Sequence, residues 1–404
     1  MIPRPDLRPP FGELGGAAPE ELFSGIPTPA YVIDEAALVK NGEILKRLSD
    51  KTGCRILLAQ KAFSNYDFYP ILSRYLHGTE ASGLYETRLG YEKMPGKETH
   101  VFSAAFREEE FAGITRYADH IVFNSIGQLR KFGERAKNAG LEVGLRLNPE
   151  CSTQEGHAIY DPCAPGSRLG VTKARWDEEM TLDLFSILDG VHFHTLCEQD
   201  SDALETTLRA LEKSFGEWLP FMKWINLGGG HHVTRPGYDL ERLERLIRET
   251  REKWEVEVYL EPGEAVALNA GYFLTRVLDV VENAGVRIAI LDGSAACHMP
   301  DVIEMPYLPP LYGAEAAGKD GFLYRLAGPT CLAGDVIGDY AFPEKLKEND
   351  LLVFGDMAIY TTCKNNTFNG MPLPSIWKRD RTGTFSKIRA FGYEDFRDRL
   401  GSKE

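Results

Sequence analysis

The chain has 404 residues, 43% hydrophobic and 26% charged, which suits a globular protein of two or three domains, or one large barrel with a smaller partner. Its 60 acidic residues against 46 basic ones give a formal charge of −14. That removes the basic footprint needed for nucleic acid or an anionic membrane and leaves a cationic ligand open. Seven scattered cysteines without a C-x-x-C pair exclude a disulfide framework and a zinc ribbon. With no apolar leader and no membrane-length apolar run, the expectation is a cytoplasmic protein.

In chain order, the strand-like run PAYVID (29–34) and an amphipathic pattern over 34–50 precede a series of short apolar runs. These are RILLAQ (55–60), the weak TEAS (79–82), HVFSA (100–104), HIVFNS (120–125), EVGLRLN (142–148), LDGVHFH (188–194), WINLGGG (224–230) and EVYLEPG (257–263). They are too short for helices and are rich in β-branched residues and leucine, as buried parallel strands should be. Helical patterns lie between them, among them 124–140, 201–219 and 238–254. Asn124 or Ser125 is expected to cap the first of these and Ser201 the second, while Gly140 stops the first.

Eight such strand–helix units predict an α/β fold, a (β/α)8 TIM-like barrel over residues 28–266. Beyond it, strand-like runs follow one another without long helices between them, which predicts a separate β-sandwich or β-barrel domain over 267–404. Residues 1–34 are expected to join that domain in part, through PAYVID.

In such a barrel, chemistry gathers where the strands end. The run ends supply Lys61, Glu80 and Ser82, Ser103, Asn124, Arg146 and Asn148, His194, Gly228–Gly230 and Glu261. A lysine directly after LLAQ is expected to be partly desolvated, which lowers its pKa and frees a nucleophilic amine; a solvated loop lysine is the alternative. Gly228-Gly229-Gly230 lets backbone amides approach a phosphate, although a tight turn explains the glycines alone. Glu261, followed by Pro262 and Gly263, is suited to keeping a pyridine nitrogen protonated, and His194 to lying flat on the ring. A Schiff-base lysine, a phosphate loop and a ring-nitrogen carboxylate together describe a site for pyridoxal 5′-phosphate.

PAYVID, AQKAF, HFHTLCE, NLGGGH, EPGEA and GPTCLAGDV resemble the fold-type III pyridoxal-phosphate decarboxylases, the ornithine and diaminopimelate decarboxylase-like family to which alanine racemase is a distant relative. The likeness runs from about residue 27 to 378 and is strongest to the carboxynorspermidine and carboxyspermidine decarboxylases. LLAQKAFS, HFHTLCEQ, INLGGGHH, EPGEAVAL, HMPDVIEMPY and TTCKNNTFNGMPLPSI carry that stronger likeness.

The resemblance implies that Lys61 and Cys331 are catalytic, the thiol serving across the interface of a homodimer. It implies that Lys61, His194, Gly228, Gly229, Gly230, Glu261 and Tyr360 bind the cofactor. Glu264 stands where the wider family has arginine and Cys197 where a phosphate-binding serine is usual. Acidic groups near one mouth would suit a polyamine-like substrate, so Glu264, His298, Asp301, Glu304 and Asp335 are the substrate candidates, with solvated loop residues the alternative. No metal is expected, because adjacent His231 and His232 diverge and His192-x-His194 offers too few ligands.

The expected function is decarboxylation of carboxynorspermidine or carboxyspermidine to norspermidine or spermidine. Diaminopimelate or ornithine decarboxylation, or a non-catalytic regulator on the same scaffold, are the competing readings.

Overall fold

The computed structural model describes residues 2–3, 18–154, 161–318 and 320–402. Contacts divide the chain into two compact units, one of residues 39–266 and one of residues 1–38 with 267–404. Of the N-terminal residues expected beside the sheet, 1 and 4–17 lie outside the described residues, as do 319, 403 and 404 of the C-terminal domain.

The chain passes through strand β1 (Ala30–Asp34) and helix α1 (Glu35–Thr52) before the barrel begins. Eight parallel strands then close on themselves. They are β2 (Arg55–Ala59), β3 (Gly78–Ala81), β4 (Glu98–Phe102), β5 (His120–Phe123), β6 (Glu142–Arg146), β7 (Gly190–His192), β8 (Trp224–Asn226) and β9 (Glu257–Leu260). The eight apolar runs are these eight strands, including the weak one at TEAS. Every residue of β3 and β5 is buried, as strands covered on both faces must be.

Leu57, Val122, Trp224 and Tyr259 pack together inside the barrel. Trp224 fits because its neighbours on β6 and β7 are glycines: a Cβ on Gly144 or Gly190 would lie 2.4 or 2.1 Å from the indole ring.

The helices between the strands carry the expected caps, with one change. Ser125 caps α2 (Ile126–Asn138) by accepting from the Gln128 amide at 3.2 Å, and Gly140 follows the helix at φ +88°. Helix α3 (Ser201–Phe215) is capped by Asp200 rather than Ser201. The Asp200 carboxylate accepts from the Ser201 amide at 2.6 Å, while the Ser201 hydroxyl reaches the Asp239 carbonyl at 2.9 Å. Asp239 in turn caps α4 (Leu240–Trp254).

The other unit is a nine-stranded, mostly antiparallel sheet. Its strands include β10 (Gly271–Asn283), β11 (Val286–Leu291), β12 (Phe322–Ala327), β13 (Val336–Phe342), β14 (Leu351–Gly355), β15 (Ser375–Arg379) and β16 (Phe385–Arg389). The order is β13-β12-β11-β10-β1-β15-β16, with β14 also paired to β10. Strand β1 is buried throughout and lies antiparallel to β10 and parallel to β15. Tyr31, Phe273, Leu291, Leu326, Ile337, Tyr340 and Phe354 form the core. Among the described residues, no helix is long and apolar enough to cross a membrane.

Candidate active site

Parallel strands deliver the residues at their C-terminal ends to one rim of the barrel. Lys61 stands two residues beyond β2 and is exposed. Ala59 and Gln60, just before it, are buried, at 1% and 0% exposure. The Lys61 ammonium is close enough to act on Glu80, Glu86, His192 and His194.

Glu80, on β3 in register with Ala59, is buried. Burial pushes its carboxyl well above the ordinary value, the Glu261 charge adds to the rise, and Lys61 pulls the other way.

Glu261, just past β9, is buried too but is pushed the opposite way. Burial works to raise its carboxyl, but the hydrogen bonds from His192 and Asn226 oppose it and hold it below the ordinary value. Asn226 Nδ2 donates to Glu261 Oε1 at 2.5 Å, and His192 Nε2 lies 3.1 Å from Oε2. The site thus pushes two buried carboxyls in opposite directions, Glu80 toward its protonated form and Glu261 toward its ionised form, a division that suits acid and base roles. Arg146, buried on β6, has its guanidinium lowered to about 10 by burial against the pull of Glu261, so it stays cationic at neutral pH.

The three glycines are packed against the neighbouring strand ends. A Cβ on Gly228 would meet the Phe193 carbonyl at 2.3 Å, on Gly229 the Glu261 carbonyl at 2.4 Å and on Gly230 the Leu196 carbonyl at 2.0 Å. Gly228 and Gly230 also have φ near +70° and +79°. A tight turn alone would not require all three.

Two of their amides point inward. The Gly228 amide donates to Asn226 Oδ1 and the Gly229 amide to His194 Nδ1, each at 2.9 Å. An Nδ1 that accepts belongs to an imidazole protonated on Nε2. Burial, reinforced by Lys61 and Arg146, lowers His194 well below its ordinary value and keeps it neutral.

Glu264 follows Glu261 on the same rim, where its Oε2 lies 2.9 Å from His232 Nε2. Glu198 completes a group whose ligand-capable atoms all lie within 4.8 Å.

The remaining candidates lie in the sheet unit, and packing separates them into two kinds. Asp335 is 2% exposed and accepts from the Ser294 hydroxyl, the Ala296 amide and the Thr330 hydroxyl, so it is a structural carboxylate rather than a substrate contact. His298 is equally internal. Its Nδ1 accepts from the Ser294 amide, its Nε2 faces the Pro372 carbonyl, and burial lowers it to about 4. It too leaves the set of substrate contacts. Asp301 and Glu304 share the Lys364 ammonium. Cys331 is exposed, with its backbone amide bonded to Asn369 Oδ1 at 3.0 Å. Tyr360 is half-buried at φ +48°.

The residue-type reading missed Asn226 and gave His192 no part beyond a failed metal site. The available signal was position: His192 is the last residue of β7 and Asn226 the last of β8, so both stand at the strand ends where the rim forms.

Residues 30–358 match the family described as pyridoxal-dependent decarboxylase, C-terminal sheet domain. The carboxynorspermidine/carboxyspermidine decarboxylase of Campylobacter jejuni is 42% identical, the alignment covering 93% of this chain and 99% of that one. A carboxyaminopropylagmatine decarboxylase of Synechocystis is also 42% identical, over 94% and 97%. The crystal structure of the Campylobacter jejuni carboxynorspermidine decarboxylase complexed with norspermidine superposes with a TM-score of 0.84 over 93% of this chain and all of the other. A diaminopimelate decarboxylase, at 21% identity and a TM-score of 0.79, shares the fold.

Proposed function

The chain belongs to the family of pyridoxal-dependent decarboxylases, and from that premise we propose that it binds pyridoxal 5′-phosphate and removes CO2 from carboxynorspermidine or carboxyspermidine, giving norspermidine or spermidine. The observation that carries this reading is the rim itself: Lys61 near two buried glutamates whose carboxyls are pushed in opposite directions, in a chain similar to such decarboxylases along nearly its whole length.

The side chains fit the cofactor. A lysine amine, a neutral imidazole and a carboxylate held by neutral donors are the groups that an aldehyde, an aromatic ring and a ring nitrogen respectively require. Lys61 would carry it, and His194, Gly228, Gly229, Gly230, Glu261 and Tyr360 would hold it. When bound, it supplies a sink for the electron pair left as CO2 departs. Because the Gly228 and Gly229 amides serve Asn226 and His194, Gly230 is the glycine whose amide neither side chain takes.

Glu261 holds its negative charge where a proton on a ring nitrogen must be kept. Glu80, buried near Lys61 with its protonated form favoured, would exchange a proton with Nζ. In a homodimer with its active sites at the interface, the Cys331 thiol gives its proton to the carbon that has lost CO2. Glu264, which neighbours His232, and Asp301 and Glu304, which share Lys364, are the acidic candidates for the cationic chain of the substrate. The cytoplasm is the expected compartment, since the substrate is a metabolic intermediate.

One specific observation favours a second substrate. Identity to the carboxyaminopropylagmatine enzyme equals that to the carboxynorspermidine enzyme, so a guanidinium-ended chain is the alternative to an ammonium-ended one. The test is CO2 release from carboxynorspermidine, carboxyspermidine, carboxyaminopropylagmatine, diaminopimelate and ornithine. Turnover of the α-carboxylated polyamines at least about a hundredfold faster than of diaminopimelate is expected. Preference for diaminopimelate or ornithine, or no CO2 from any substrate, would overturn the proposal. Lys61→Ala is expected to remove the visible absorbance of the bound cofactor, and its retention would refute the role of that lysine.

A further inference from the structure

Glu261 has a support whose chemistry goes beyond holding it still. Its two oxygens are taken by different side chains, Oε1 by Asn226 at 2.5 Å and Oε2 by His192 at 3.1 Å. Neither side chain is at liberty to turn. Asn226 Oδ1 accepts the Gly228 amide at 2.9 Å, which fixes its NH2 end toward the carboxylate. His192 lies with its ring 5.5 Å from that of Phe102, the planes inclined by 24°, and Phe102 carries the Arg146 guanidinium 4.6 Å from its centroid. His192 Nδ1 is buried and makes no hydrogen bond, so the ring's one proton belongs on Nε2, aimed at Glu261.

Both donors are neutral. The protonated form of His192 is disfavoured first by burial, opposed by the Glu261 charge and hydrogen bond, with Arg146 and Lys61 adding to the lowering. An arginine or lysine in the same place would orient Glu261 equally well but would cancel its charge. A neutral imidazole and a neutral amide lower the cost of burying the carboxylate and leave its full negative charge for a third partner.

We propose that His192 and Asn226 are positioning residues that act through Glu261, keeping it a fully charged carboxylate so that it can hold a proton on the cofactor's ring nitrogen. This rests on the cofactor reading above and adds to it that the C-terminal end of strand β7 and the segment just after it contribute two histidines with different tasks. His194 faces the glycine loop, and His192 supports the carboxylate from below.

The experiment compares holoenzyme carrying His192→Phe, His192→Gln and Asn226→Asp with the parent protein. The readouts are the pH dependence of the bound cofactor's visible absorbance and fluorescence, and kcat and KM for carboxynorspermidine. His192→Phe removes the donor, and Asn226→Asp sets a like charge against Glu261. Both are expected to move the pH midpoint of the spectrum and to lower kcat roughly 10- to 100-fold with KM changed less than about threefold. Gln at 192 restores a neutral N–H donor and should recover most of the loss.

A merely structural His192 would lower the urea midpoint without moving the spectral midpoint, and that result overturns the proposal, as does unaltered kcat in His192→Phe. If His192→Phe does not fold, the Asn226→Asp spectrum decides by itself, because that side chain is isosteric with the original. Should the parent protein bind no pyridoxal phosphate, the cofactor reading fails instead, and the parent spectrum distinguishes the two failures.

Discussion

His120 provides a quantitative test of how the barrel interior treats charge. Its ring stacks on that of His100 at 3.9 Å, sits 5.3 Å from Trp224 and 5.7 Å from Tyr259, and is 7% exposed. Nδ1 has no partner, and Nε2 is 4.0 Å from the nearest Glu142 oxygen, too far for a hydrogen bond. Burial, with the neighbouring His100 adding to it, drives the imidazole down to about 2, against about 6.5 in an unfolded chain.

Below about pH 6.5 the unfolded state therefore takes up a proton that the folded state refuses, and stability falls as the pH falls. For one such histidine the loss between pH 7.5 and 5.5 is about 1.4 kcal/mol. His100, lowered to about 3, and His231, lowered to about 4, contribute in the same direction. Glu80, whose carboxyl is raised in the folded state, contributes in the opposite direction over this range.

The substitution His120→Phe isolates one share, since the other groups are common to both proteins and cancel in the comparison. Phenylalanine keeps the ring and sacrifices no hydrogen bond. Urea unfolding followed by tryptophan fluorescence, to which Trp176, Trp218, Trp224 and Trp254 of the barrel contribute, should be measured at pH 7.5 and 5.5. The variant should lose about 1.4 kcal/mol less than the parent over that interval, whatever its stability at pH 7.5. Equal losses in the two proteins would mean that His120 is not held neutral by the fold.

Gly190→Ala places a methyl against the indole of Trp224, the first residue of β8, whose ring also lies against Gly144 of β6. A destabilisation of about 1–3 kcal/mol in the same urea assay is expected, and a change below about 0.5 kcal/mol would show that the indole can yield. Glu264→Arg reverses the charge beside His232. The KM for carboxynorspermidine should rise at least about tenfold while cofactor affinity changes less than about threefold, and unchanged use of that substrate would remove Glu264 as a contact.

What the amino-acid sequence determined by itself is the architecture and the membership of the rim. Parallel strands buried on both faces must be short apolar runs, so the eight strands were visible one by one, even the weak TEAS segment. Because such strands all end on one side, Lys61, Glu80, Arg146, His194, Gly228–Gly230 and Glu261 could be assigned to one rim before any contact was known.

Only the tertiary structure decided what each side chain does there. Residue type does not reveal that the Glu80 and Glu261 carboxyls are pushed in opposite directions, since the lowering of Glu261 depends on Asn226 and His192, which lie 35 and 69 positions from it. Nor does it reveal that Asp335 is consumed by Ser294 and Thr330 while Glu304 remains at the surface. Lys61 is the counterpart: its position was legible, but its exposure was not, because that depends on how the rim packs. Strand periodicity is local and repeats along the chain, whereas the charge state of a buried carboxyl is set by the few donors that folding places within about 3 Å of it.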